Sequence, residues 1–197
     1  MADRVLLAEG REAEVFLLTA GRAMGVAHAA MHDCVAPVGL PDLNDELRTR
    51  IEEAPPLPDD LRAGALAVLA DMPRGDRLCH GDLHIGNMMG SYEKPVIIDW
   101  GSASRGDPVA DVARTELLHR LGDPPPGAPT LIRLFARVGR RALVARYLAT
   151  YRKSRPVDQG ALERWEVVRA AARLAEPIPS EEQRLLRFLR KRLPATA

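Results

Sequence analysis

Residues 78–111, LCHGDLHIGNMMGSYEKPVIIDWGSASRGDPVAD, constrain this chain more than any other stretch. They concentrate His80, Asp82, His84, Asn87, Asp99, Asp107 and Asp111, with glycines at Gly81, Gly86, Gly101 and Gly106. Oxygen-bearing and imidazole side chains therefore recur where the backbone must turn tightly. That combination suits a site for phosphate and a hard cation.

The spacing sharpens the reading. Asp82 and Asn87 are separated by four residues, the D-x-x-x-x-N interval at which a kinase catalytic loop sets its base and a Mg²⁺ ligand. Pro95-Val96-Ile97-Ile98 is a short apolar, β-branched run that reads as a buried strand and delivers Asp99 at its end. Trp100-Gly101 follows at once, and an Asp-aromatic-Gly triplet there can hold a second face of the metal.

Three ordered motifs carry a resemblance. His80-Gly81-Asp82-Leu83-His84-Ile85-Gly86-Asn87, then Ile98-Asp99-Trp100-Gly101, then Gly106-Asp107-Pro108 with Asp111, resemble the signature of the aminoglycoside phosphotransferase family. The resemblance implies an α+β fold: a mainly helical, protein-kinase-like C-terminal lobe with a small β-hairpin insert at the catalytic stretch. It further implies transfer of the terminal phosphate of ATP or GTP to a hydroxyl of a small molecule, with Mg²⁺ as cofactor. Asp82 would act as base or hydroxyl-orienting group. Asn87 and Asp99 would hold the cation through oxygen donors, as Mg²⁺ prefers. His84 belongs to the same cofactor-facing loop, beyond the direct ligands. His80, Asp107 and Asp111 are expected to give structural support by bracing and capping, not to take part in the chemistry.

One departure from the family pattern bears on activity. The implied amino-terminal lobe has five strands and a lysine for the nucleotide phosphates, which needs at least about 40 residues. Only about twenty precede the first helical pattern, and the lysines are Lys94, Lys153 and Lys191, all at or beyond the catalytic stretch. Arg11 or Arg22 could clamp phosphate instead, although arginine is not interchangeable with lysine. The chain therefore divides into a vestigial hairpin over 1–19, a kinase-like helical lobe over 20–193 and a tail over 194–197. The alternative to an enzyme is a catalytically impaired or truncated kinase-like protein that binds ligand without turnover.

Along the chain, residues 4–7 and 14–18 read as strands of the amino-terminal hairpin, and a helix over 20–33 places Met24, Ala27 and Met31 on one stripe. His28 and His32 share a face of that helix, but no H-E-x-x-H pattern accompanies them, so they read as packing residues. A zinc hydrolase built on His80 and His84 is disfavoured, because Gly81 and Gly86 argue against a rigid helical ligand pair. Further helices are expected over 43–53, over 61–72 with Leu66, Leu69 and Met72 inward, and from Asp107-Pro108 toward Gly122. After the Pro124–Gly127 break, helices follow over 130–152, over 159–175 with Leu162, Trp165, Val168 and Ala172 inward, and over 181–193 with Leu185, Leu186 and Leu189 inward.

Composition excludes several partners. A net charge of +1 gives no reason to expect nucleic acid, and no apolar run approaches a membrane span. Cys34 and Cys79 lie far apart without a C-x-x-C arrangement, the usage of free thiols in a reducing compartment, so a cytoplasmic location is expected. A reduced upper lobe would leave an apolar face open, from which homo-oligomer formation is expected. The acceptor is unmarked by any motif.

Overall fold

A computed structural model describes residues 11–121 and 130–193. In chain order the elements are α1 (Arg11–Met31), α2 (Leu43–Glu53), α3 (Asp59–Ala70), β1 (Arg77–Cys79), β2 (Met88–Gly90), β3 (Pro95–Ile97), β4 (Ser104–Gly106), α4 (Pro108–Leu121), α5 (Thr130–Ser154), α6 (Gln159–Arg173) and α7 (Pro179–Arg192). The class is α+β: helices dominate, and the strands form two small antiparallel sheets, β1 with β4 and β2 with β3. Among the described residues, no helix is long and apolar enough to cross a membrane.

The chain folds into two compact units threaded through one another in sequence. Of the described residues, one holds 11–30, 84–98 and 130–156, and the other 31–83, 99–121 and 157–193.

In the first unit, α1 lies hard against α5. A Cβ on Gly21 would come within 2.6 Å of the Leu143 carbonyl oxygen, and one on Gly25 within 2.7 Å of that of Tyr147. Only residues without a side chain permit that approach. The crossing also buries His28, whose Nδ1 is 2.7 Å from the Tyr147 hydroxyl and whose ring packs on Tyr147 and Tyr151. The hairpin of β2 and β3 pairs Met88 with Ile97 and Gly90 with Pro95. Gly90 takes φ +87° at its turn.

Two expectations are corrected here. Residues 14–18, read as a strand, belong to α1, a 21-residue helix that continues to Met31 and overrides their strand-like composition. Residues 4–7 lie outside the described residues, as do the end of the helix toward Gly122, the Pro124–Gly127 break and the tail from 194. Strand β3 exists where the β-branched run placed it but is not buried: Val96 is 57% exposed, as is Met89 opposite it at 61%.

The second unit is built around α6, which packs against α2, α3, α4 and α7. Every residue from Trp165 to Leu174 is buried, so this helix is central and not half-exposed as the four-residue stripe suggested. Leu43, Leu47 and Ile51 of α2 contribute to the core, as do Leu61, Ala65 and Leu69 of α3. The inner face of α3 thus runs through Leu61 and Ala65, and Leu66 is only partly covered.

Capping sets the boundaries. Asp42 accepts from the Asn44 and Asp45 amides at the start of α2, and Asp158 from the Ala161 amide at the start of α6. Arg62 of α3 closes the far end of α2. Its guanidinium donates to the carbonyls of Ile51 and Glu52, and to those of Ala54 and Leu57 at 3.0 and 2.9 Å.

Candidate active site

Strand β1 ends at Cys79 and the chain turns into His80-Gly81-Asp82. Burial, reinforced by the Asp111 carboxylate, pushes the Cys79 thiol far above its usual range, so it packs and does not attack. The turn is held from behind by Asp111 in the first turn of α4. Its Oδ2 accepts the His80 amide at 2.6 Å and its Oδ1 accepts the Gly81 amide at 2.9 Å. His32 Nε2 lies 3.3 Å from the same Oδ2. Arg169 Nη2 is 4.0 Å from Oδ1, while its Nε donates to the Ala110 carbonyl at 2.9 Å. Burial brings the Arg169 guanidinium down to about 10, against the opposing pull of Asp111. A fully buried carboxylate is thus spent on backbone shape.

Gly81 is at φ +80°, and a Cβ there would stand 2.3 Å from the Ser102 carbonyl oxygen. The His80 ring sits 4.9 Å, centroid to centroid, from Trp100 and accepts the Asp82 amide at Nδ1, 3.2 Å away. These contacts lock the loop bearing Asp82 to the segment bearing Asp99 within one unit. The Asp82 side chain remains 34% exposed.

Asp99 takes φ 64° and ψ 65°, the left-handed region, and caps a 3₁₀ turn over Trp100–Ser102 without a side-chain hydrogen bond to it. Asparagine and aspartate tolerate that conformation better than other side chains. Asp107 does two things. Its Oδ1 accepts the Val109 amide at 2.8 Å at the start of α4, and its Oδ2 accepts the Trp165 indole N–H at 3.1 Å.

His84 and Asn87 belong to the other unit. His84 Nδ1 accepts the Gly86 amide at 3.0 Å, opening a 3₁₀ turn over Ile85–Asn87. The Asn87 backbone carbonyl accepts the Ile98 amide at 3.0 Å, which ties the turn to the residue preceding Asp99, and Asn87 itself is buried. The residues read from sequence therefore fall into two groups: His80, Asp82, Asp99, Asp107 and Asp111 in one unit, His84 and Asn87 in the other.

Sequence reasoning missed a charged pair of which one member, Arg114, stands 3.5 Å from Asp82. Arg114 of α4 and Glu176 beyond α6 carry no motif signal, since only the packing of α4 against α6 reveals them.

A buried carboxylate thus positions a loop that bears an accessible aspartate, and a second aspartate stands at a left-handed turn in the same unit. Residues 3–143 match the sequence model of the phosphotransferase enzyme family, and the chain belongs to that family. Comparison with curated proteins gave no significant match.

Proposed function

We propose that the protein transfers the terminal phosphate of ATP or GTP to a hydroxyl group of a small molecule, as an aminoglycoside phosphotransferase-like enzyme. The observation that carries this reading is the Asp82 loop. Its backbone is fixed by both oxygens of Asp111, its carboxylate is accessible, and it is joined to the Asp99 turn through Gly81 and His80.

In this reading Asp82 orients the acceptor hydroxyl and receives its proton. Asp99 and Asn87 would each offer an oxygen donor of the kind Mg²⁺ prefers. When bound, that ion would neutralise charge on the phosphate oxygens. His80 and Asp111 keep the loop in register, and His84 shapes the turn that presents Asn87.

A second reading is ligand binding without turnover, since residues 1–93 offer no lysine for the nucleotide phosphates. Mg²⁺-dependent turnover of ATP and GTP, measured for the parent and for Asp99→Asn, separates the two. Asn keeps the left-handed turn while removing the negative charge, so the variant is expected to fold and to turn over at least about 100-fold more slowly. Equal rates would remove Asp99 and the catalytic reading with it. Calorimetric binding of Mg²⁺ with ADP or GDP in the absence of any turnover would favour the second reading.

A further inference from the structure

We propose that Arg114 is a positioning residue for Asp82, fixing the orientation of that carboxylate from α4 against a counter-anchor at Glu176; this rests on the phosphotransferase reading above. Arg114 is 7% exposed. Its Nε donates to the Gly81 carbonyl at 3.2 Å, its Nη2 lies 3.5 Å from Asp82 Oδ1, and the same Nη2 lies 2.8 Å from Glu176 Oε1. One planar group thus touches the loop backbone immediately before Asp82, the Asp82 carboxylate, and a carboxylate from the far side of the core. Two of these contacts are hydrogen bonds from donors held in fixed directions and the third, to Glu176, is an ion pair, so together they define where the guanidinium sits.

The counter-anchor is itself held. Arg173 Nη1 is 2.8 Å from Glu176 Oε2, and Arg173 grips Glu181 of α7 through two bonds of 2.5 and 3.0 Å. Arg50 of α2 stands 3.9 Å from Glu176 Oε1. Burial lowers the pKa of Arg114, and Glu176 and Asp82 oppose that shift, as expected for a guanidinium kept charged by its partners. An arginine serving packing alone would need only Gly81 and Glu176; the contact with Asp82 is what points to the reaction. All these groups lie in one unit.

The test is steady-state kinetics of Mg²⁺-dependent nucleotide turnover, with thermal unfolding measured in parallel, on the parent, Arg114→Lys, Arg114→Gln, Arg114→Gln/Glu176→Gln, Asp82→Asn and Asp82→Asn/Arg114→Gln. Arg114→Gln is expected to lower kcat by about 10- to 100-fold with the nucleotide KM changed by less than about 2-fold, and Arg114→Lys to recover part of kcat. The Arg114→Gln/Glu176→Gln variant removes the carboxylate that Arg114→Gln strands, and is expected to regain Tm without regaining kcat. In the Asp82→Asn background the loss of Arg114 is expected to cost nothing further, because the two act as one unit.

Three results would overturn the inference: kcat recovering together with Tm, a KM effect at constant kcat, or an Arg114→Gln penalty of the same size with and without Asp82. A parent that shows no turnover would overturn the phosphotransferase reading and this inference with it. An active parent matched by Arg114→Gln would overturn this inference alone.

Discussion

At the scale of single residues, the site depends on positions where the backbone leaves no choice. Gly81 combines a positive φ with a carbonyl oxygen 2.3 Å from where a Cβ would be. Gly81→Ala is therefore expected to cost about 2–4 kcal/mol, through left-handed strain and forced separation of the loop from Ser102. A clear fall in Tm checks this; an unchanged Tm would mean the loop relaxes freely. Such positions were legible in the sequence because each answers to local chemistry: glycine where the turn is tight, aspartate at a helix start before proline. Arg114 and Glu176 were not legible. Their role arises only when α4 and the end of α6 bring them to Asp82, and neither has a neighbour in sequence that hints at it.

Among elements, α2 was readable to the residue because Asp42 caps its start and Ala54-Pro55 follows its end. The amino-terminal part of α1 was misread because Glu14-Val15-Phe16-Leu17-Leu18 has strand-like composition over a window too short to show helical period. The run from Phe16 to Met31 shows it only when taken whole. The close crossing of α1 and α5 was available in the spacing of Gly21 and Gly25, which puts two bare positions one turn apart. Gly25→Ala gains about 1 kcal/mol of helix propensity. It also places a methyl 2.7 Å from the Tyr147 carbonyl oxygen and 2.9 Å from Thr150 Cβ. Overpacking of that kind costs about 1–3 kcal/mol or more, so net destabilisation is expected, seen as a lower midpoint in urea. A higher midpoint would show that the helices can part without loss.

Across the whole molecule, the least expected property is the charge carried inward by α6. Glu166, Arg169 and Arg173 are all buried. Arg120 Nη1 lies 2.8 Å from Glu166 Oε1, and Arg192 Nη2 lies 3.7 Å from Oε2. Periodicity could not reveal this, since it scores charged positions as outward. Burial, with the Glu116 carboxylate adding to it, raises Glu166 from 4.5 to about 7, against the pull of Arg120 and Arg192. Between those two values the folded chain keeps a proton that the unfolded chain has released. This contribution to stability is therefore present at acidic pH and is lost as pH rises through about 7. Denaturant unfolding at pH 5 and pH 7.5 should show a decline attributable to this residue on the order of 1–3 kcal/mol, and Glu166→Gln should flatten it. An identical pH slope in the variant would remove Glu166 as the source.

The interleaved threading of the two units has a consequence for how the polypeptide comes into being. Residues 31–83 are made before 84–98, yet the former share their unit with α6 and α7 and the latter with α5. Neither body can close on a ribosome until α5 has been made. The handovers after Leu83 and after Ile98 fall inside the motif run itself, so Asp82 and Asp99 await α6 while Asn87 awaits α5. A chain of this kind offers no place where one cut would yield a self-sufficient half.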